Sequence, residues 1–324
     1  LQIKKQKNPN FLKTVYNIYC FSEGGICLVF KDKTSSYIIA FAVIFIWSIT
    51  FISTKILLEY ISPTEILVYR YAIAYVLFVL ADPRVIKPRN IKEEALFALA
   101  GFLGVTLYFL CENFALSYST VSNVSLLVST APMLTGIVAH FMSKNEKIGK
   151  KFFCGGFFAL AGVFLLVFNG HFVLKLNVAG DFLAIAAALS FAFYSIIIKN
   201  IDSSVYTPAV ITRKTFFYSL ISLIPLLFTP LFNWNPLVFT HPEVIGHLAF
   251  LGIFASAACF LLWNKVIWSL GAVKANNLIY FCPPMSVVFA SLILHEKITA
   301  FSVAGGMLIL IGVYISQKDN PSIE

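Results

Sequence analysis

Apolar residues run in long blocks along this chain, separated by short polar or charged stretches. Ten blocks stand out: Tyr37–Leu58, Thr64–Ala81, Glu94–Leu116, Thr120–Met142, Phe152–Phe168, Val178–Lys199, Pro208–Phe228, Val244–Asn264, Ala272–Leu294 and Thr299–Ser316. Each approaches or exceeds the roughly 20 residues that a helix needs to cross a hydrocarbon layer. Lipid offers no partner to a backbone amide, so such runs predict helices that satisfy their own hydrogen bonds. The expected fold is all-α and integral to the membrane, with ten transmembrane helices. Residues 1–35 differ: they form a basic tail with six lysines, and their two apolar patches are too short to span. The tail also lacks the layout of a cleaved signal peptide.

Composition strengthens this picture. Hydrophobic residues make up 59% of the 324 residues and charged residues only 12%, against about 45–50% and about 25% in soluble domains. The net charge of +9 has its explanation in the loops, where cytoplasmic segments collect Lys and Arg. With the tail inside, eighteen Lys and Arg fall on the cytoplasmic side and only Lys175 and Lys297 on the other. Both termini are therefore expected in the cytoplasm, in a multi-pass protein of the plasma (inner) membrane. No basic patch interleaved with aromatics points to nucleic acid. The six cysteines, at positions 20, 27, 111, 154, 259 and 282, lack metal-ligand spacing and read as packing residues. Neither a metal nor a cofactor is called for. The expected partners are a small-molecule solute and the lipid bilayer; no feature reports on oligomeric state.

The second half of the chain repeats the first. Pro132-Met133 recurs as Pro284-Met285, Glu146-Lys147-Ile148 as Glu296-Lys297-Ile298, and Gly155-Gly156 with Gly162 as Gly305-Gly306 with Gly312. Trp47 and Lys55 fall opposite Phe191 and Lys199. The expected units are residues 36–170 and 177–317, each with five spans. An odd number of spans turns the second unit upside down relative to the first, and inverted repeats support two conformations open to opposite sides. The glycine pairs read as close helix packing. Pro132 and Pro284 each remove a backbone donor and predict a bend, either a hinge or a fixed kink.

Ionisable groups inside spans are costly and face a cavity or a partner. Glu112 is either a structural partner of Arg70 or a contact for solute or proton. Arg70 carries a planar guanidinium suited to a carboxylate or phosphate, or to that same structural pair. Arg213, Lys214, Lys55 and Lys199 read as snorkelling side chains. Trp47, Tyr71, Tyr194, Trp263 and Tyr280 either line a cavity or pack as aromatics. Polar clusters at Ser122, Asn123 and Ser125 and at Asn276 and Asn277 either bond across helices or meet a solute. The candidate solute-binding set is Trp47, Arg70, Glu112, Asn123, Tyr194, Asn276, Asn277 and Tyr280, placed near the midplane between the halves.

In this order the residues resemble a known family. Trp47 with Lys55, Pro63 with Arg70, Glu112-Asn113-Phe114-Ala115-Leu116 with Tyr118, and the Pro–Glu–Gly-Gly series closing each half are similar to the EamA-type branch of the drug/metabolite transporter superfamily, over residues 36–317. The resemblance implies a secondary transporter with a central solute cavity, often an exporter of amino acids, drugs or related metabolites. Nucleotide-sugar carriers and importers of the same fold are the alternative it leaves open. Thr215 stands where a second Arg70 would fall, and Asn264 where a second Glu112 would. A membrane enzyme is the remaining class, and the chain has no HExxH, no Gly-x-Ser-x-Gly elbow and no paired intramembrane aspartates. The absence of a P-loop argues against a primary pump.

Overall fold

The computed structural model describes residues 33–83, 89–119, 121–142, 148–168, 177–202, 205–233, 235–285, 288–289 and 299–318. The tail before Lys33 and the recurring Glu146-Lys147 and Glu296-Lys297 pairs lie outside the described residues. Within them, every regular element is helical. The α-helices are α1 Lys33–Leu57, α2 Pro63–Ala81, α3 Ile91–Gly101, α4 Tyr108–Tyr118, α5 Val121–Val128, α6 Ala131–Met142, α7 Lys150–Phe168, α8 Val178–Asn200, α9 Pro208–Leu223, α10 Pro242–Ala249, α11 Cys259–Leu270, α12 Ala272–Asn277 and α13 Ala300–Gln317. A π-helical turn, Phe102–Leu107, fuses α3 to α4, and another, Phe250–Ala258, fuses α10 to α11.

Eight helices among the described residues are long and apolar enough to cross a membrane, the fused Ile91–Tyr118 and Pro242–Leu270 among them. Large apolar side chains such as Phe157, Phe182, Leu80 and Met307 point outward uncovered, the mark of a shell meant for lipid. The spans start where the sequence supplies caps. Ser62 and Thr207 each accept from a backbone amide and are followed by Pro63 and Pro208 at the first helical position, where a missing N–H costs nothing. The eighth apolar block runs on to Leu270, six residues beyond its expected end. There Gly271, at φ 88°, turns the chain into α12; only glycine takes that conformation without penalty.

Two ends of the bundle can be told apart. At the tail end, where α1 begins, Ser36 Oγ donates to Ser269 Oγ over 2.7 Å. At the far end, Ser62 Oγ donates to the Leu231 carbonyl over 2.7 Å, and Asn113 Nδ2 to the Pro63 carbonyl over 3.0 Å.

Several contacts recur when first-half residues are exchanged for their second-half counterparts. Lys55 Nζ donates to the Leu116 carbonyl over 2.7 Å, and Lys199 Nζ to the Trp268 carbonyl over 3.0 Å. Both lysines thus cap the C-terminal carbonyls of a neighbouring helix, where a cation is favoured, and Lys55 is exposed there. In α7 and α13, Gly155 faces Gly312 and Gly162 faces Gly305, backbone against backbone. This pairing is antiparallel and maps onto itself under the exchange. Gly101 packs on the Thr215 carbonyl as Gly252 packs on that of Arg70. The helix breaks also recur. A turn at Ser129 and Thr130 precedes Pro132, and a 3-10 turn, Leu278–Phe281, precedes Pro284. The bend expected at each proline is a short interruption just before it.

Candidate functional site

Arg70 lies two turns into α2 and is 1% exposed. Its Nε donates to Ser256 Oγ over 2.9 Å, and its guanidinium carbon sits 4.3 Å from the Phe109 ring centre and 5.3 Å from that of Tyr71. Its Nη1 is buried without a hydrogen-bond partner among the described residues. The Tyr71 hydroxyl is also buried without a bond of proper geometry, although it lies beside Ser256. Of the two alternatives left open for Glu112, the ion pair with Arg70 is not formed. Glu112 is buried on α4 with the Tyr108 hydroxyl beside its carboxyl, near enough to feel the Arg70 charge but not to bond it. Ser256 of the Phe250–Ala258 turn takes the Arg70 Nε instead.

An aromatic wall continues from Arg70. Phe109 and Tyr71 meet Phe260 at 6.1 and 6.2 Å between ring centres. Phe260 meets Trp47 at 6.1 Å and Tyr194 at 6.0 Å, and Trp47 meets Trp263 at 4.9 Å. Trp47 Nε1 donates to the Ala255 carbonyl over 3.2 Å, a carbonyl within the π turn. Trp47 is only partly buried although it sits in mid-helix and packs inward.

The other candidates separate into distinct bonding groups. Tyr194 Oη donates to Asn264 Oδ1 over 2.6 Å, and Asn264 Nδ2 to Thr212 Oγ1 over 2.9 Å. Asn276 Nδ2 reaches Thr135 Oγ1 at 2.7 Å and Ser195 Oγ at 2.9 Å, leaving its Oδ1 unpartnered. Among the described residues Asn277 Nδ2 is buried without a partner, and the Tyr280 hydroxyl is buried beside the Met133 backbone without a bond of proper geometry. Asn123 bonds Asp181 and Ser119 at the far end, away from Asn276. The Ser122 side chain lies outside the described residues. Of the glycines, Gly155 and Gly305 are locked at helix crossings, Gly156 lies against Met133, and Gly306 has open space around it among the described residues.

The model of the EamA-like transporter family matches twice, over residues 34–168 and 178–317. The chain belongs to the EamA-like transporter family. It is 29% identical over 276 residues to an uncharacterized transporter of Archaeoglobus fulgidus, covering 84% of this chain and 93% of that one. It is 27% identical over 272 residues to the uncharacterized transporter YyaM of Bacillus subtilis, covering 82% and 87%. A crystal structure of 19% identity superposes with a TM-score of 0.69 over 90% of this chain and 100% of the other, a likeness of fold.

In this EamA-like chain the two ends of the bundle are closed differently. At the tail end Lys214 and Glu94 form a buried ion pair joining α9 to α3. The Tyr218 hydroxyl donates to the same carboxylate over 2.5 Å, and Lys214 Nζ lies 4.9 Å from the Phe97 ring centre. Beside them the Tyr206 hydroxyl donates to Glu93 over 2.5 Å and Arg213 Nη1 to the Asp82 carbonyl over 2.5 Å. Burial and the Glu93 carboxylate push the Tyr206 phenol up to about 12, so it stays a donor. Lys214 does not snorkel: its side chain is 7% exposed. At the far end a pocket of about 610 Å3 opens between Tyr60, Ser62, Glu65, Ser117, Asn233 and Asn235. Across its rim runs an exposed bond of 2.8 Å from the Tyr60 hydroxyl to Glu243, which raises the Tyr60 phenol. The sequence reading missed Ser256, Tyr108, Phe109 and the Glu94–Lys214 pair. One signal was available: Phe-Leu-Gly recurs at 102–104 and 250–252, at the start of both π turns, and such turns cluster at functional sites.

Proposed function

We propose that this membrane transporter is a secondary carrier of a small metabolite, an exporter of amino acids or related solutes, working by alternating access. Its ten spans form two inverted five-helix halves, residues 36–170 and 177–317, with both termini in the cytoplasm. The observation that carries this reading is the recurrence of contacts between halves. The Lys55 and Lys199 caps and the reciprocal glycine crossings of α7 with α13 are what a carrier needs to exchange the roles of its halves. The unequal ends support it too, since a buried lock at one end and a vestibule at the other describe one of the two states of such a carrier.

The solute sits near the midplane, against Trp47, Arg70, Glu112 and Tyr194, with Asn276, Asn277 and Tyr280 close by and Asn123 on the far-end path. Hydrogen bonds from Ser48 Oγ to the Cys282 carbonyl and from Asn276 to Ser195 bring the first, sixth and ninth segments together there. Single cysteines at positions 147 and 297, labelled with an impermeant thiol reagent in sealed vesicles, test the inverted arrangement. They are expected to react from opposite sides; reaction from the same side would end it.

A further inference from the structure

Among the described residues no carboxylate bonds the buried Arg70 guanidinium. A charge that has left water costs several kcal/mol unless it is paired, and buried polar groups are almost always bonded. Here Ser256, a neutral hydroxyl, takes Nε, aromatic faces cover the plane, and Nη1 has no partner. Cation–π contact offsets part of the cost, but it leaves the donor open.

The fold itself does not require the charge. Under the exchange of halves Arg70 corresponds to Thr215, whose carbonyl meets Gly101 as the Arg70 carbonyl meets Gly252. At that second crossing the neighbouring π turn, Phe102–Leu107, is bound by neutral hydroxyls, Thr106 with Ser219 at 3.0 Å and with Ser222 at 2.7 Å. The same helix crossing therefore forms once with a guanidinium and once without. The open donor also lies where the chain is distorted. The Phe250–Ala258 π turn places Ser256 beside both Arg70 and Tyr71, whose hydroxyl is the second unsatisfied group.

We propose that Arg70 is the anion anchor of the solute site, taking the carboxylate of a small organic acid through Nη1, with Tyr71 as second donor and the Phe109–Phe260 wall holding the acid's apolar body. The inference rests on the transporter reading above. A planar carboxylate fits the fork of a guanidinium already fixed by Ser256 and stacked on Phe109. Among the described residues Glu112 is the carboxylate whose charge Arg70 perturbs, so it competes with the solute for that charge without occupying it.

The test uses the full chain in nanodiscs, with thermal stabilisation and tryptophan fluorescence as readouts. The probes are phenylacetate, benzoate and succinate, each beside its amide, and phenyl phosphate. Phenylacetate is expected to bind at least about tenfold tighter than phenylacetamide, since charge-assisted bonds are worth about 1.5–3 kcal/mol and 1.4 kcal/mol is tenfold. Arg70→Gln is expected to abolish that preference without lowering the melting temperature. Arg70→Lys, which keeps the charge and loses the fork, is expected to weaken phenylacetate at least about tenfold. Glu112→Gln is expected to tighten it. Any one of four results overturns the anchor: no binding of these acids by the wild type, equal binding of acid and amide, unchanged binding in Arg70→Lys, or phenyl phosphate bound as tightly as phenylacetate. The transport reading is scored separately, by the labelling at positions 147 and 297, and stands or falls without Arg70.

Discussion

Lys214→Met leaves Glu94 buried with only the Tyr218 hydroxyl to bond it. The two side chains are 7% and 10% exposed, so little water can replace the lost ammonium. Removing one partner of a buried pair costs about 3–5 kcal/mol. In the alternating-access carrier proposed above, that cost falls only on the state in which the tail end is closed, because an open end returns the carboxylate to water. At 1.4 kcal/mol per tenfold, the equilibrium moves toward the open state by roughly two to three and a half orders of magnitude. Glu94→Gln, which strands the lysine, acts in the same direction. The double variant, Glu94→Gln with Lys214→Met, buries no orphan charge and is expected to restore closure, because an apolar replacement of a buried pair is often neutral or better. The assay is the rate at which an impermeant maleimide, applied from the tail side, reaches a cysteine at Ser219 in a background free of the native cysteines. Ser219 is fully buried and bonded to Thr106 of the Phe102–Leu107 turn, deeper along the same α3–α9 seam. Faster labelling in both single variants and a return to the slow rate in the double variant is expected. Additive effects, or labelling as slow in the singles as in the wild type, would refute the lock.

Two further outcomes follow from packing and titration. Gly312→Ala pushes a methyl into the Gly155 carbonyl and the Ala159 backbone, whereas Gly306→Ala meets nothing within 4 Å. The first is expected to lose about 1–3 kcal/mol by overpacking and to melt lower, and the second to melt like the wild type. Tyr206, held near 12 against an ordinary value of 10.0, favours the folded state only while its phenol is protonated. Its contribution is therefore complete below pH 10 and lost as pH rises through about 12. The wild-type minus Tyr206→Phe difference in melting temperature should be flat to pH 10 and shrink above it; a difference that grows above pH 10 would contradict the Glu93 bond.

The sequence alone determined the class of this fold, because lipid leaves so few choices. Ten apolar blocks, 59% hydrophobic residues and Ser62-Pro63 and Thr207-Pro208 starts permit little besides membrane helices, and the ordered motifs were enough to suggest the family. Blocks of helix length are a one-dimensional signal. Partner choice is not, because a charge inside a span meets whichever helix passes it, and that depends on crossing positions far apart in the chain. Arg70 and Glu112 share one end of the bundle in sequence terms, yet tertiary packing gave Arg70 to Ser256, 186 residues away. Lys214, expected at an interface, was drawn inward to Glu94, 120 residues away. Ser256 lies on the Phe250–Ala258 π turn. A π turn adds a residue to its helix and rotates everything beyond it, which no periodicity of apolar residues reports. What the bilayer demands was therefore legible residue by residue, and which polar groups meet was decided only when the helices crossed.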